Sequence, residues 1–107
     1  MQDYPVSLLR RMLETYSPSG SEADLSRLLL EEMGTLGLNV RTDGAGNVIG
    51  EVGNDGPRIL LCGHMDTVPG ELPVCERDGF IYGRGAVDAK ASLAAMIFGC
   101  MRATERR

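Results

Sequence analysis

The feature that most constrains the fold of this 107-residue chain is an apolar run at residues 59–62, within "RILLC". The run shows no polar alternation, and the turn sequences "GNDGP" and "DTVPG" lie before and after it. A short continuous apolar run bounded by turns is typical of a strand buried on both faces of a helix-covered sheet. We therefore expect an α/β fold with this strand inside it and with Cys62 as a buried, unreactive thiol.

Helical periodicity predicts three helices in the remainder of the chain. The first is expected over residues 5–16. The second should begin at Ser21, with Asp24 completing a capping box, and should end at Gly37. The third should start near Asp88. The expected apolar stripes are Val6, Leu9, Leu13 and Tyr16, then Leu25, Leu28, Leu29, Met33 and Leu36, and finally Leu93, Met96, Ile97, Cys100 and Met101.

Four further strands are predicted by period-two patterns and turn residues. The stretches "LNVRTD" (38–43) and "NVIGEV" (47–52) each indicate a strand. The stretch "PVCERDGFIYG" predicts a small hairpin that turns at Asp78 and Gly79. The length allows one domain, residues 1–107.

Charge and composition exclude some classes of partner. A net charge of −4 without a Lys/Arg block argues against nucleic-acid binding. No apolar stretch approaches the roughly 20 residues that span a bilayer, and the N-terminus does not resemble a secretory signal. Three widely spaced cysteines, Cys62, Cys75 and Cys100, favour reduced thiols and hence a cytoplasmic protein.

The chain's one histidine, His64, and the nearby Asp66 directly follow the predicted buried strand. Ligands of open α/β sheets bind outside such strand ends. Residues two apart in an extended chain point to the same side, so Asp66 could hold one ring nitrogen while the other binds a metal. The alternative is a histidine hydrogen-bonded within a polar loop, with Asp66 opening the "DTVPG" turn.

The stretch "GRGAVD", residues 83–88, resembles the dinucleotide fingerprint G-x-G-x-x-G but ends in Asp88. A carboxylate there would repel a pyrophosphate, so nucleotide binding is disfavoured, whereas a cation would suit it. The alternative is that Asp88 only caps the following helix. Lys90 is either a solvated charge or the partner of a carboxylate, and the sequence does not decide between them.

Taken together and in order, "SPSGSE", "GNVIGEVG", "GHMDTVPG" and "YGRGAVDAK" resemble the M20 family of metallopeptidases and aminoacylases. The sequences of these four stretches are most similar to those of the branch that releases lysine or ornithine from an amino-group carrier protein. One departure is Ala91, where relatives commonly carry glycine. The resemblance implies the N-terminal part of a zinc-peptidase-like three-layer α/β/α catalytic domain, with an incomplete mixed sheet flanked by helices.

The resemblance also implies roles for individual residues. His64 would bind one of two zinc ions, for which cobalt or manganese could substitute. Asp66 would orient His64, and Asp88 would bridge both ions. The peptide bond between Asp88 and Ala89 would be cis.

The function implied is di-zinc hydrolysis of an amide bond in N-acyl amino acids or peptide-like substrates. The family's general base belongs to a Glu-Glu pair beyond the third helix, and a second histidine follows. Neither can be placed here, because Glu31 and Glu32 lie in the second predicted helix and indicate a solvated face. We therefore expect a fragment that is inert alone and that forms a homodimer or depends on the remainder of a longer chain. The alternative is a non-catalytic binding or dimerisation module.

Overall fold

The computed structural model describes residues 4–53 and 55–105. Three helices and two hairpins follow one another along the chain. They are α1 (Tyr4–Glu14), α2 (Ala23–Thr35), β1 (Asn39–Thr42), β2 (Val48–Glu51), β3 (Cys75–Arg77), β4 (Phe80–Tyr82) and α3 (Ala91–Glu105). All three predicted helices and the four further predicted strands are therefore present, while α3 begins three residues later than expected.

The core lies where the three helices meet the first hairpin. The predicted apolar face of α2 is confirmed, since Leu25, Leu29 and Met33 are buried. The predicted face of α1 is only partly right. Leu13 is buried as expected, but Leu8 and Met12 are completely buried and Val6 is 45% exposed. From α3, Ala94 and Ile97 complete the core cluster.

Helix α2 ends as predicted but begins differently. Gly37 has a φ of 103°, and the N–H groups of Gly37 and Leu38 donate to the carbonyls of Gly34 and Met33, which is a Schellman motif. The predicted capping box is wrong, because the N-cap residue is Glu22 and makes no side-chain cap bond. Ser21 lies one residue too early to cap, and the Asp24 carboxylate instead accepts a hydrogen bond from Arg27.

Both hairpins are antiparallel and two-stranded. In the first, β1 pairs with β2 from Asn39 opposite Glu51 to Thr42 opposite Val48. In the second, β3 pairs with β4 through the predicted turn, where Asp78 and Gly79 have φ values of 55° and 81°. Two consecutive positive φ values are characteristic of the type I′ turn that matches strand twist.

The predicted buried strand at residues 59–62 is wrong for this chain. The segment has no strand assignment, Ile59 and Leu60 are each 87% exposed, and Cys62 is exposed rather than buried. A central strand requires neighbours on both sides, and none of the described strands pairs with this segment. The described fold is thus α/β with two small antiparallel sheets, and a mixed sheet does not form within it.

The helices are too short or too polar to cross a membrane in any part of the chain that the structure describes.

Candidate metal centre

The structure brings the three predicted site residues together. His64 lies on an exposed segment just after the apolar run, and its Nδ1 is 3.0 Å from both the carbonyl oxygen and the Oδ1 of Asp66. Its Nε2 is 2.9 Å from the Oδ1 of Asp88, a residue 24 positions further along. One ring nitrogen is therefore held by Asp66, while the other faces the carboxylate of Asp88.

Asp88 lies in an irregular wide helical turn, Ala86–Lys90, which precedes α3. Its φ and ψ of −120° and 93° are not helical, and the expected cis peptide bond between Asp88 and Ala89 is confirmed. Because the regular helix begins only at Ala91, Asp88 does not serve as its cap. The carboxylate instead hydrogen-bonds His64, so the capping alternative is not supported.

The hydrogen bonds of the site favour its charged forms. The hydrogen bond to Asp88, followed by the one to the Asp66 backbone, raises the pKa of His64 above its ordinary value. The hydrogen bond from Ser19 lowers the pKa of Asp66. A proton on Nε2 therefore occupies the position between His64 and Asp88 that a cation would take, and the two compete for it.

The segment that leaves α1, residues 15–19 (the exit segment), holds the loop that carries His64 and Asp66. The buried Ser17 donates its hydroxyl to the carbonyl of Met65 at 2.8 Å, and its own carbonyl accepts from the N–H of Thr67 at 2.9 Å. Ser19 donates its N–H to the carbonyl of Thr67 and its hydroxyl to the Asp66 carboxylate. Sequence reasoning missed these two serines, for which the only signal was the quoted "SPSGSE" stretch.

Lys90 has a role that neither sequence alternative anticipated. It is 1% exposed, and its Nζ donates to the carbonyl of Met12 at 2.8 Å and to that of Thr15 at 2.9 Å. These carbonyls lie at the C-terminal end of α1, where a cation is favoured. Burial lowers the pKa of Lys90. The available signal was a lysine within the otherwise small and apolar stretch that opens α3.

His64 and Asp88 have the donor chemistry of a zinc ligand pair. A tetrahedral zinc ion would hold one nitrogen and one oxygen ligand roughly 3.4 Å apart, so the observed 2.9 Å would have to widen by about 0.5 Å. Within the described residues, no group of three or more His, Cys, Asp and Glu side chains is placed to hold a metal ion. The pair fits as part of a metal site and does not form a closed one.

The Glu31–Glu32 pair lies in α2 and does not belong to the site. Glu31 is exposed as predicted. Glu32 is not on a solvated face, because its carboxylate accepts bonds of 2.8 and 2.6 Å from Arg11 and one from Tyr4. That part of the prediction is wrong, since Arg11 and Tyr4 of α1 reach this side of α2.

Residues 60–107 match the family model described as peptidase family M20/M25/M40. A relative from Thermococcus kodakarensis, assigned as a [LysW]-lysine/[LysW]-ornithine hydrolase, is 44% identical over 96 residues. This match covers 90% of the present chain and 28% of the relative. The match therefore extends well upstream of the family-model region.

Two further relatives have similar names. One from Pyrobaculum aerophilum, also assigned as a [LysW]-lysine/[LysW]-ornithine hydrolase, is 50% identical over 90 residues, which is 84% of this chain and 26% of the relative. The [LysW]-lysine hydrolase of Deinococcus radiodurans is 41% identical over 91 residues, 84% of this chain and 25% of the relative. The chain thus spans between a quarter and a third of the length of these relatives. The chain is thus similar to peptidase family M20/M25/M40 over residues 60–107 and to these hydrolases over most of its own length.

Proposed function

We propose that this chain supplies part of the metal site of a di-zinc amidohydrolase. The substrate would be a lysine or ornithine joined through an amide bond to an amino-group carrier protein, or a simpler N-acyl amino acid. The match to the M20/M25/M40 family model supports hydrolysis, and the functions named for the relatives support the lysine or ornithine class.

The observation that carries the proposal is the arrangement around His64. Its two ring nitrogens face Asp66 and Asp88 at 3.0 and 2.9 Å. A carboxylate on one nitrogen fixes the tautomer and orientation of a metal-binding imidazole and raises its basicity. A histidine that is hydrogen-bonded within a loop for structural reasons alone does not require a second carboxylate. Here the second carboxylate belongs to Asp88, which lies 24 positions further along the chain.

Each residue then has a defined task. With a metal in place of the Nε2 proton, Asp66 would hold Nδ1–H and so present the Nε2 lone pair, while the hydroxyl of Ser19 donates to the Asp66 carboxylate. Asp88 presents a carboxylate to the same point. Zinc bound there, or cobalt or manganese in its place, would polarise an amide carbonyl and lower the pKa of a bound water. The remaining ligands and the general base would come from outside residues 1–107.

Other parts of the proposal concern the whole protein. A three-layer α/β/α catalytic domain would result if further strands covered the exposed segment at residues 59–62. The three free cysteines support a cytoplasmic location.

A chimera tests the proposed function directly. The matching 96 residues of the Thermococcus kodakarensis relative are replaced by this chain, and release of lysine from the carrier-linked substrate is measured. We expect turnover, and we expect it to be lost in chimeras carrying His64→Ala or Asp88→Ala. A Cys75→Ser chimera, altered away from the site, is the control. A folded chimera without turnover, or one that tolerates His64→Ala, would contradict the proposal.

The isolated chain should be inert and should bind zinc weakly, because two ligands do not complete a zinc site. Zinc titration by calorimetry, together with an N-acetyl-lysine hydrolysis assay, measures both properties. Clear turnover by the isolated chain would show that the site is complete without further residues.

A non-catalytic dimerisation module is the second candidate, and the exposed apolar residues Ile59 and Leu60 favour it. The two candidates give different results in the chimera, since a dimerisation module would restore folding without restoring hydrolysis.

A further inference from the structure

The exit segment and the end of α1 hold both halves of the candidate metal centre. Ser17 and Ser19 fasten the loop that carries His64 and Asp66, as described above. The turn that carries Asp88 is fastened to the same place by Lys90, which binds the carbonyls of Met12 and Thr15. The two loops are thus positioned against one common support.

The Lys90 side chain is well placed to set the position of Asp88. Its ammonium group is anchored at the end of α1, and its backbone N–H donates to the carbonyl of Gly85 at 2.9 Å, which closes the turn around Asp88. Its stem also covers Gly85, because a Cβ built there would lie 3.4 Å from the Lys90 Cδ. Movement of Lys90 would therefore move the turn on both sides of Asp88.

The turn also meets the histidine loop at Gly85. A Cβ built on Gly85 would lie 2.7 Å from the Cγ2 of Thr67, the buried residue that follows Asp66. The two loops are therefore in close contact beneath the site, and their relative position depends on how firmly each is tied to α1.

We propose that Lys90 is a positioning residue that holds Asp88 against His64 by fastening the Ala86–Lys90 turn to the end of α1. The inference rests on the proposed function in one respect, since it takes Asp88 to be a functional ligand. Lys90 itself touches neither His64 nor a substrate in this scheme. It acts only through the turn.

The test uses the intact chain without metal or substrate and observes the single histidine by NMR. In Lys90→Met, which keeps the stem and removes the ammonium, we expect the imidazole ¹⁵N shifts at fixed pH to move towards those of Asp88→Asn. Arg11→Met is the matched control, because it removes a charge of the same sign from an ion pair between α1 and α2. We expect this control to lose stability while keeping the wild-type imidazole signals.

Two outcomes would overturn the proposal. One is a folded Lys90→Met variant with wild-type imidazole shifts. The other is an equal displacement in Arg11→Met, which would mean that general loosening is sufficient. If Lys90→Met does not fold, the test is made on the wild-type protein. Scalar couplings are then measured by NMR across the hydrogen bonds from Lys90 Nζ to the Met12 and Thr15 carbonyls. Their absence would overturn the proposal, and their presence would support it.

Failure of this inference is distinguishable from failure of the proposed function. The imidazole shifts report the geometry without metal, whereas the chimera reports hydrolysis. An inactive chimera combined with displaced shifts in Lys90→Met would leave Lys90 as the residue that places Asp88.

Discussion

At the scale of single residues, the candidate site depends on close approach between two loops. Gly85 combines a φ of 87° with a position against Thr67, so both its conformation and its lack of a side chain are required. The wide turn around Asp88 can form because Gly85, which has no side chain, lets the backbone approach Thr67 closely. The contact between Gly85 and Thr67 joins two different loops, although it depends on the identity of the single residue Gly85.

Replacing Gly85 with alanine should therefore cost more than backbone strain alone. We expect a loss of about 1–3 kcal/mol from the overpacking, in addition to the cost of a positive φ. Gly46 is the matched control, since its φ is 91° and a Cβ there would meet nothing within 4 Å. Urea denaturation of both alanine variants measures the difference, and equal losses would show that the contact with Thr67 is unimportant.

At the scale of secondary-structure elements, α1 is joined to the rest of the molecule by its buried residues Leu8 and Met12 and by polar contacts at its C-terminal end and on one side. Lys90 binds the carbonyls at its C-terminal end, and Arg11 pairs with Glu32 of α2 at 2.6 Å. The hydrogen bond from Arg11 is the largest cause of the lowered pKa of Glu32. The ion pair that links α1 to α2 should therefore depend on pH.

The sign of that dependence follows from the lowered pKa of Glu32. Stabilisation by its carboxylate is present above its unfolded pKa of about 4.3 and is lost as the pH falls through the lower folded value. We expect Glu32→Gln to destabilise the protein at pH 7 and to have a smaller effect at pH 3, where part of this stabilisation has been lost. Denaturation by urea at both pH values measures this.

Glu31 provides the control for that experiment, since it is the exposed neighbour of Glu32 in the same helix. Glu31→Gln should change stability little at either pH. A Glu32→Gln variant as stable as the wild type at pH 7 would contradict the assigned ion pair.

An element could be predicted when the sequence pattern that determines it involves only neighbouring residues. The face of α2, the Gly37 cap and the Asp78–Gly79 turn were predictable because each depends on a few neighbouring residues. Family resemblance implied the cis bond between Asp88 and Ala89, whereas the irregular turn before α3 was not predicted. Lys90 was not predictable, because its partners lie 78 and 75 positions away and are backbone carbonyls that leave no trace in the sequence.

At the scale of the whole molecule, the exposed apolar segment is the largest departure from expectation. The sequence pattern at residues 59–62 is that of a central strand, whereas the described strands form two separate hairpins. A groove of about 970 Å³ lies beside this segment, and its lining includes Leu38, Leu61 and Met96. The apolar run at residues 59–62 is typical of a strand buried in a larger sheet than the one that the described residues form.

The exposed segment should make the isolated chain self-associate. We expect concentration-dependent sedimentation that is much reduced in an Ile59→Ser/Leu60→Ser double variant, because each side chain is 87% exposed. Phe80→Ser is the control, since Phe80 is 65% exposed on β4 and lies outside the segment. A monomeric wild type, or an equal effect of Phe80→Ser, would contradict this expectation.

The attachment of both site loops to the end of α1 also has a consequence for folding kinetics. The bonds from Ser17 to Met65 and from Lys90 to Met12 join residues 48 and 78 positions apart. Contacts of such long sequence separation form only after the entropy of closing the intervening chain has been overcome, so they are slow to appear. The imidazole of His64 should consequently reach its native signal late in refolding, which makes the only histidine of the chain a natural reporter of completed tertiary structure.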